Sequence, residues 1–122
     1  MPSPTQEQGF AAESAALDHL MTRGLRQVAR NFRTKFGEID LIMIEGQVLV
    51  FVEVRLRRST AFGTGADTVT PAKQRRLIRA AKIYVARHHH LGLPSCSRFD
   101  VVSVTQPNCT WAFDWIRDAF CE

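Results

Sequence analysis

A chain of 122 residues with 45% hydrophobic content can bury one sizeable core and leaves little for a second. No apolar run reaches the length of a membrane span, and the opening MPSPTQEQGF lacks the basic and then apolar regions of a secretory signal, so a cytoplasmic protein without a membrane partner is expected. The net charge of +4 favours a polyanionic partner such as nucleic acid, and Cys96, Cys109 and Cys121, spaced neither as CxxC pairs nor as an even framework, read as reduced thiols.

Thr5, with Gln8 three residues on, has the form of a capping box. Phe10, Glu13, Leu17, Leu20 and Met21 follow at helical spacing until Gly24, which predicts a helix over residues 6–23. Val28, Arg30 and Phe32 alternate in a first strand over residues 26–33. Two further strands, near 38–44 and 47–57, fold about a turn at Glu45-Gly46. Residues 58–69, RSTAFGTGADTV, carry no periodicity and predict a mobile loop. Thr70 as N-cap and Pro71 at the first helical position then open a second helix to about His90, ended by Gly92 and Pro94. FDVVSV and TWAFDWI alternate as two last strands. The order α-β-β-β-α-β-β predicts a single α/β domain over residues 1–122, a central mixed sheet flanked by helices.

The middle hairpin, GEIDLIMIEGQVLVFVEVRLR, gathers charge at one end of an otherwise apolar pair of strands. A two-residue turn at Glu45-Gly46 sets Ile44 opposite Gln47. One face then carries Ile39, Leu41, Met43, Val48, Val50, Val52 and Val54 and must meet a core. The other runs from Ile42, Ile44, Leu49 and Phe51 to Glu38, Asp40, Glu53, Arg55 and Arg57. In that register Glu38 faces Glu53, with Asp40 on the diagonal. Like charges so placed destabilise a sheet unless something positive stands between them. Either arginines such as Arg33, Arg55 and Arg57 neutralise them in a solvated rim, or a hard divalent cation such as Mg²⁺ does.

Both helices send polar groups toward the same region. Glu13 shares the apolar stripe of the first helix and needs a partner, an arginine or a site. Gln74 begins the buried stripe of the second helix, as a boundary cap or as a holder of water or phosphate. The other faces of that helix carry Lys73, Arg75, Arg76, Arg79, Lys82 and Arg87, either a solvated face or a binding surface for a phosphate backbone over which Arg57 and Arg58 close. His88, His89 and His90 diverge by about 100° per residue and suit the helix C-terminal dipole better than one metal ion. Trp111, Phe113 and Trp115 alternate on one strand face, the pattern of core packing first and of a base-stacking surface second.

GEID, the EVR that follows Asp40 by thirteen residues, and Gln74 on the next helix resemble the YraN-type family of small bacterial proteins. The likeness extends over GFAAESAALDHL, NFR, LVFVEVRLR and RFDVVSV. It implies a restriction-endonuclease-like fold of the PD-(D/E)xK group, related to archaeal Holliday-junction resolvases. By that resemblance Asp40 matches the motif aspartate, Glu53 the second acid, Arg55 the place usually held by lysine, Glu13 the helix carboxylate and Gln74 a polar residue of the following helix. Asp40 and Glu53 would then hold Mg²⁺ or Mn²⁺, with the Val54 carbonyl as a further ligand and Glu13 anchoring a water or a second ion. Arg55 stays protonated and cannot serve as a base, so water activation would fall to the metal. The implied function is metal-dependent cleavage of DNA, branched or damaged, with Arg33, Arg57, Arg58, Lys73, Arg75, Arg76, Arg79 and Lys82 on the backbone. The alternative is a binding module or adaptor on the same fold. A four-way junction as substrate would imply a two-fold homodimer.

Overall fold

The computed structural model describes residues 3–57 and 69–121. Its first helix, α1 (Pro4–Thr22), opens two residues earlier than the spacing predicts. The capping box is made by Ser3, whose Oγ accepts the Gln6 N–H at 3.2 Å, and by Gln6, whose Oε1 accepts the Ser3 N–H at 2.8 Å. Pro4 directly after the cap has its φ preset for the first turn, which draws the start of the helix forward.

Five strands follow: β1 (Arg26–Thr34), β2 (Gly37–Glu45), β3 (Val48–Leu56), β4 (Cys96–Thr105) and β5 (Ala112–Phe120), with a second helix, α2 (Pro71–His88), between β3 and β4. They form one sheet in the order β1-β2-β3-β4-β5, parallel only between β3 and β4. Parallel neighbours need a long crossover, and α2 supplies it. Thr70 caps α2 through Oγ1, which accepts the Lys73 N–H at 3.2 Å, as the Thr-Pro pair predicts. None of these helices is long and apolar enough to cross a membrane.

Each helix covers one face. Ala16 and Leu20 of α1 bury Leu41, Met43, Val50, Val52, Val102 and Val104, while Leu77, Ala80, Ala81 and Tyr84 of α2 bury Ile42, Leu49, Phe51 and Val101. Trp111, Phe113 and Trp115 pack against the α1 side. His88 and His89 turn their Nδ1 atoms to the carbonyls of Tyr84 and Ala86, at 2.9 and 3.0 Å, and so finish α2 rather than gather about an ion. The three cysteines are free thiols at exposed positions.

The hairpin departs from the predicted register by two residues. Glu45 pairs with Val48 and Leu41 with Val52, so the loop residues are Gly46 and Gln47. Gly46 has φ +58°, a conformation glycine adopts without strain, and this fixes it in the first loop position. A shift of two keeps every residue on its predicted face, but it carries Asp40, rather than Glu38, across from Glu53. One face assignment also changes. Ile39 belongs to the α2-side cluster, not to the α1 side with Leu41. The backbone ladder between β2 and β3 stops at Leu41–Val52, and Asn31, opposite Asp40 on β1, has φ +56°. A left-handed residue interrupts the alternation of the pleat, so Phe32 and Ile39 turn to α2 although Arg30 and Leu41 face α1.

Gly37, which begins GEID, holds the β1–β2 turn against α2. A Cβ there would stand 2.8 Å from the Arg76 carbonyl oxygen. Gly37→Ala is expected to push the turn off α2 and to destabilise the fold by about 1–3 kcal/mol, read from the urea midpoint at unchanged m.

Val69 is buried at 4% exposure and joins the α2-side core, so the last residue of the predicted loop is anchored. The remainder of that loop, with Arg58, lies outside the described residues.

Candidate active site

The end of β3 and the first turn of α2 converge on Asp40. Beyond Leu41–Val52 the side chain of Asp40 takes over from the backbone: its Oδ2 accepts the Val54 N–H at 2.8 Å. Glu53, at 5% exposure, lies next to it on β3. Lys73, in the first turn of α2, sets its Nζ 2.8 Å from Glu53 Oε1, and Arg55 Nη1 stands 4.0 Å from the same oxygen. Two carboxylates, an ammonium and a guanidinium thus meet on the α2 side of the sheet. An extended residue points its N–H and C=O to the same strand edge, so the Val54 carbonyl also faces the Asp40 side.

Burial pushes the Asp40 carboxyl up, the Glu53 charge pushes it further, and Glu13 adds to both, while the Val54 N–H and Lys73 pull it back. It ends at about 8. A carboxylate left so short of positive charge suits a cation. No cluster of three or more His, Cys, Asp or Glu side chains able to hold a metal occurs among the described residues. Any ion here would rest on Asp40, Glu53 and backbone or water oxygens, the donor set that Mg²⁺ and Mn²⁺ accept and that closed zinc sites do not use. Ligation through Oδ1 of Asp40 and Oε2 of Glu53 would leave both observed contacts in place.

Residues 12–104, which include every member of this cluster, match the family model described as Uncharacterised protein family UPF0102. A UPF0102 protein of Stutzerimonas stutzeri (strain A1501) is 44% identical over 97% of this chain and 98% of its own length. Another, of Chromohalobacter salexigens, is 48% identical over 95% of this chain and 92% of its own length. The chain belongs to the UPF0102 family.

The other predicted residues of this UPF0102 chain divide into those the fold draws in and those it does not. Glu13 reaches the region from α1 and its charge is felt at Asp40, but its Oε1 is bound by Arg30 Nε at 3.2 Å. Arg30 is itself held by the Phe10 carbonyl, Ser14 Oγ and the face of the Phe10 ring. Of the two partners open to Glu13, the arginine is the one observed. Gln74 donates from Nε2 to the Val69 carbonyl at 3.0 Å, the cap of a helix boundary. Glu38 is not the residue opposite Glu53. It pairs with Arg33 at 3.4 Å, both exposed, and lines the cleft that leads to Lys73. Arg57 extends the β3–β4 ladder through its N–H, which donates to the Val104 carbonyl at 2.8 Å.

The basic helix is not one uniform surface. Lys73 turns to Glu53, Arg75 and Arg76 are exposed, Arg79 lies over the Phe36 ring at 4.4 Å, and Lys82 lines a separate apolar groove with Phe51, Val85 and Leu93. The residue whose place the sequence did not reveal is Lys73. The sequence marked it as one cation of the basic helix, in the first turn after the acidic strand, but not as the partner of Glu53.

Sequence reasoning also passed over Asp100. It is fully buried on the α1 side, where Arg98 Nε and Nη2, Trp115 Nε1 and the Asp118 N–H donate to it at 2.9, 3.2, 3.0 and 2.9 Å.

Proposed function

We propose that this chain is a metal-dependent nuclease with a restriction-endonuclease-like fold, hydrolysing phosphodiester bonds of DNA, with branched or damaged DNA as its substrate class. The observation that carries the reading is the meeting of Asp40 and Glu53 across adjacent strands with the Lys73 ammonium on Glu53. Asp40, Glu53 and the Val54 carbonyl would hold Mg²⁺ or Mn²⁺. Such an ion, when bound, supplies Lewis acidity toward water and phosphate.

The chain's own groups account for the rest. Arg55, permanently protonated, holds a phosphate oxygen at the place where negative charge develops. Lys73 is the one group of the cluster that can both neutralise a phosphate and give up a proton, so it is the donor for the leaving oxygen. Arg75, Arg76 and Arg79 continue the positive surface along α2 and bear on the sugar-phosphate backbone. Glu13, fixed by Arg30, contributes negative charge beside Asp40 rather than a ligand. One feature favours a binding module without turnover instead: Lys73 already stands against Glu53, where the charge of an ion would go.

The test is cleavage of labelled linear, single-stranded, flap and four-way-junction DNA in Mg²⁺, Mn²⁺ or chelator, with Asp40→Ala, Glu53→Ala and Lys73→Ala in parallel. Cutting is expected only with the metal. It should fall by about 10²–10³-fold or more in each carboxylate variant and by about 10²-fold in Lys73→Ala. If no substrate is cut while the carboxylate variants bind DNA with a steep salt dependence, the binding module is the correct reading.

A further inference from the structure

An aromatic ring, Phe36, lines the same cleft as Lys73, the residue that pairs with Glu53, and sits on the β1–β2 turn. Thr34, Lys35 and Phe36 connect β1 to β2, and Thr34 Oγ1 accepts the N–H groups of Phe36 and Gly37, both at 3.1 Å, which fixes the turn. Gly37 lets the turn close onto the Arg76 backbone. Phe36 nevertheless stays 38% exposed. Other apolar side chains of the chain are exposed too, so what sets this ring apart is its place, on a hydrogen-bonded turn in the cleft that holds Lys73.

The surroundings of the ring are cationic. The Arg79 guanidinium stands 4.4 Å and the Lys35 ammonium 5.2 Å from the centre of the Phe36 ring. Phe36, Lys35, Arg76 and Lys73 line one cleft of about 470 Å³, and Lys73 is the residue that reaches Glu53. A part-exposed ring with two cations over it, in a cleft that reaches the proposed phosphodiester site, has the elements of a single-strand site: a platform for a base and positive charge for its backbone.

We propose that Phe36 is a stacking platform for an unpaired nucleobase, so that the strand admitted to the carboxylate pair is single-stranded or frayed at the point of entry. The proposal rests on the reading of the Asp40–Glu53 pair as a phosphodiester site and names the form of substrate that site takes. A paired base inside a duplex shows only its edges to the grooves and cannot lie on a ring. A base at a strand end, gap or flap can. It takes the place of the Lys35 ammonium, the more distant of the two cations, while Arg79 keeps the ring in place and meets the adjacent phosphate. Its strand then runs along the cleft past Arg76 to Lys73.

The test measures binding in chelator, where nothing is cut, so failure here and failure of the nuclease reading are separate outcomes. Fluorescence anisotropy is recorded for a 12-nucleotide single-stranded DNA, the RNA of the same sequence, a flush duplex and a duplex with an overhang, over a range of salt. Phe36→Ala and Phe36→Leu are expected to weaken the single strands and the overhang by roughly 5- to 100-fold and to change the flush duplex less than about two-fold. Phe36→Tyr should bind like the original chain. Phe36→Leu keeps an apolar side chain on the turn and should melt close to the original, so its loss of single-strand affinity is read apart from any loss of packing in Phe36→Ala. Equal affinity of DNA and RNA would fit stacking on a base, and a preference between them would add contacts to the sugar. In Phe36→Trp the added indole emission should be quenched by single strands and not by duplex. Unchanged single-strand affinity in Phe36→Ala, or equal losses for single strand and duplex, overturns the proposal.

Discussion

At pH 8, Asp40→Asn is expected to be more stable than the original chain and, on the nuclease reading proposed above, to leave DNA uncut. In the fold Asp40 keeps its proton up to about pH 8, whereas the same carboxyl in the unfolded chain releases it near 3.8. Below 3.8 both states are protonated and the position has no effect. Between the two values the native state binds more protons than the unfolded one, so stability falls with rising pH, by about 1.4 kcal/mol per pH unit. The loss accumulates until the native carboxyl also gives up its proton and levels off above pH 8. Asparagine still offers an oxygen to the Val54 N–H and carries no charge to be repelled by Glu53.

Urea unfolding from pH 5 to 9 should therefore show a falling curve for the original chain and a flatter one for Asp40→Asn, the two diverging as pH rises. Mg²⁺ should raise the stability of the original chain, because binding to the folded state alone is stabilising, and should do much less for the variant. Parallel curves, or a variant that is weaker at every pH, would mean that Lys73 and the Val54 N–H already satisfy an ionised Asp40. A residue retained against such a loss is what a functional site predicts, since a well-packed neutral side chain would serve the fold better.

The sequence displays this site in part, and the reasons are local. Side-chain period is two in a strand, so a turn misplaced by two residues does not by itself change a face, and Asp40 and Glu53 remain neighbours across β2 and β3. The exact partner of Glu53 does not survive it. Glu-Gly has the composition of a turn, but a glycine with φ +58° occupies the first loop position rather than the second. The side of the sheet that Ile39 faces depends on Asn31, a left-handed residue on a neighbouring strand, and nothing within β2 announces it. Lys73 was visible as a cation and as a residue of the first helical turn. That its Nζ descends onto Glu53 depends on how the crossover lays α2 over the end of β3, a tertiary fact. Thr70-Pro71 marked the start of α2 correctly because capping is decided within four residues.

Asp100 was the least legible residue and is expected to matter most to folding. An aspartate in FDVVSV reads as the solvent side of an alternating strand, yet it lies at 0% exposure. The pairing of β4 with β5 shifts register between Phe99 and Val101, and Asp118, across the irregularity, has φ +51°. The Asp100 carboxylate occupies that break. Its Oδ1 accepts the Asp118 N–H that the displaced ladder leaves over, and its Oδ2 accepts from Trp115 Nε1. Arg98 clamps both oxygens and passes on to Glu45 at 2.8 Å, which Arg117 also binds at 2.6 Å.

Asp100→Ala takes their acceptor from four donors, two of them on the guanidinium of Arg98, which is only 16% exposed. Removing one member of a buried ion pair costs about 3–5 kcal/mol, far more than the pair contributes against an apolar replacement. For a domain of this size that lowers the melting temperature by roughly 10–20 °C. Arg117→Ala removes a half-exposed partner from the outer end of the same chain of contacts and should cost less than about 1 kcal/mol. The two variants differ by what burial does to a charge, and urea curves followed by tryptophan emission measure both. A loss under about 1 kcal/mol for Asp100→Ala would show that water enters the break and takes over its hydrogen bonds. Val101, the neighbour of Asp100, is in register with Glu53, so β4 beneath the site is held by a carboxylate with four donors, while Asp40 and Glu53, on β2 and β3, share fewer and repel each other. The first holds the strands in place for the second.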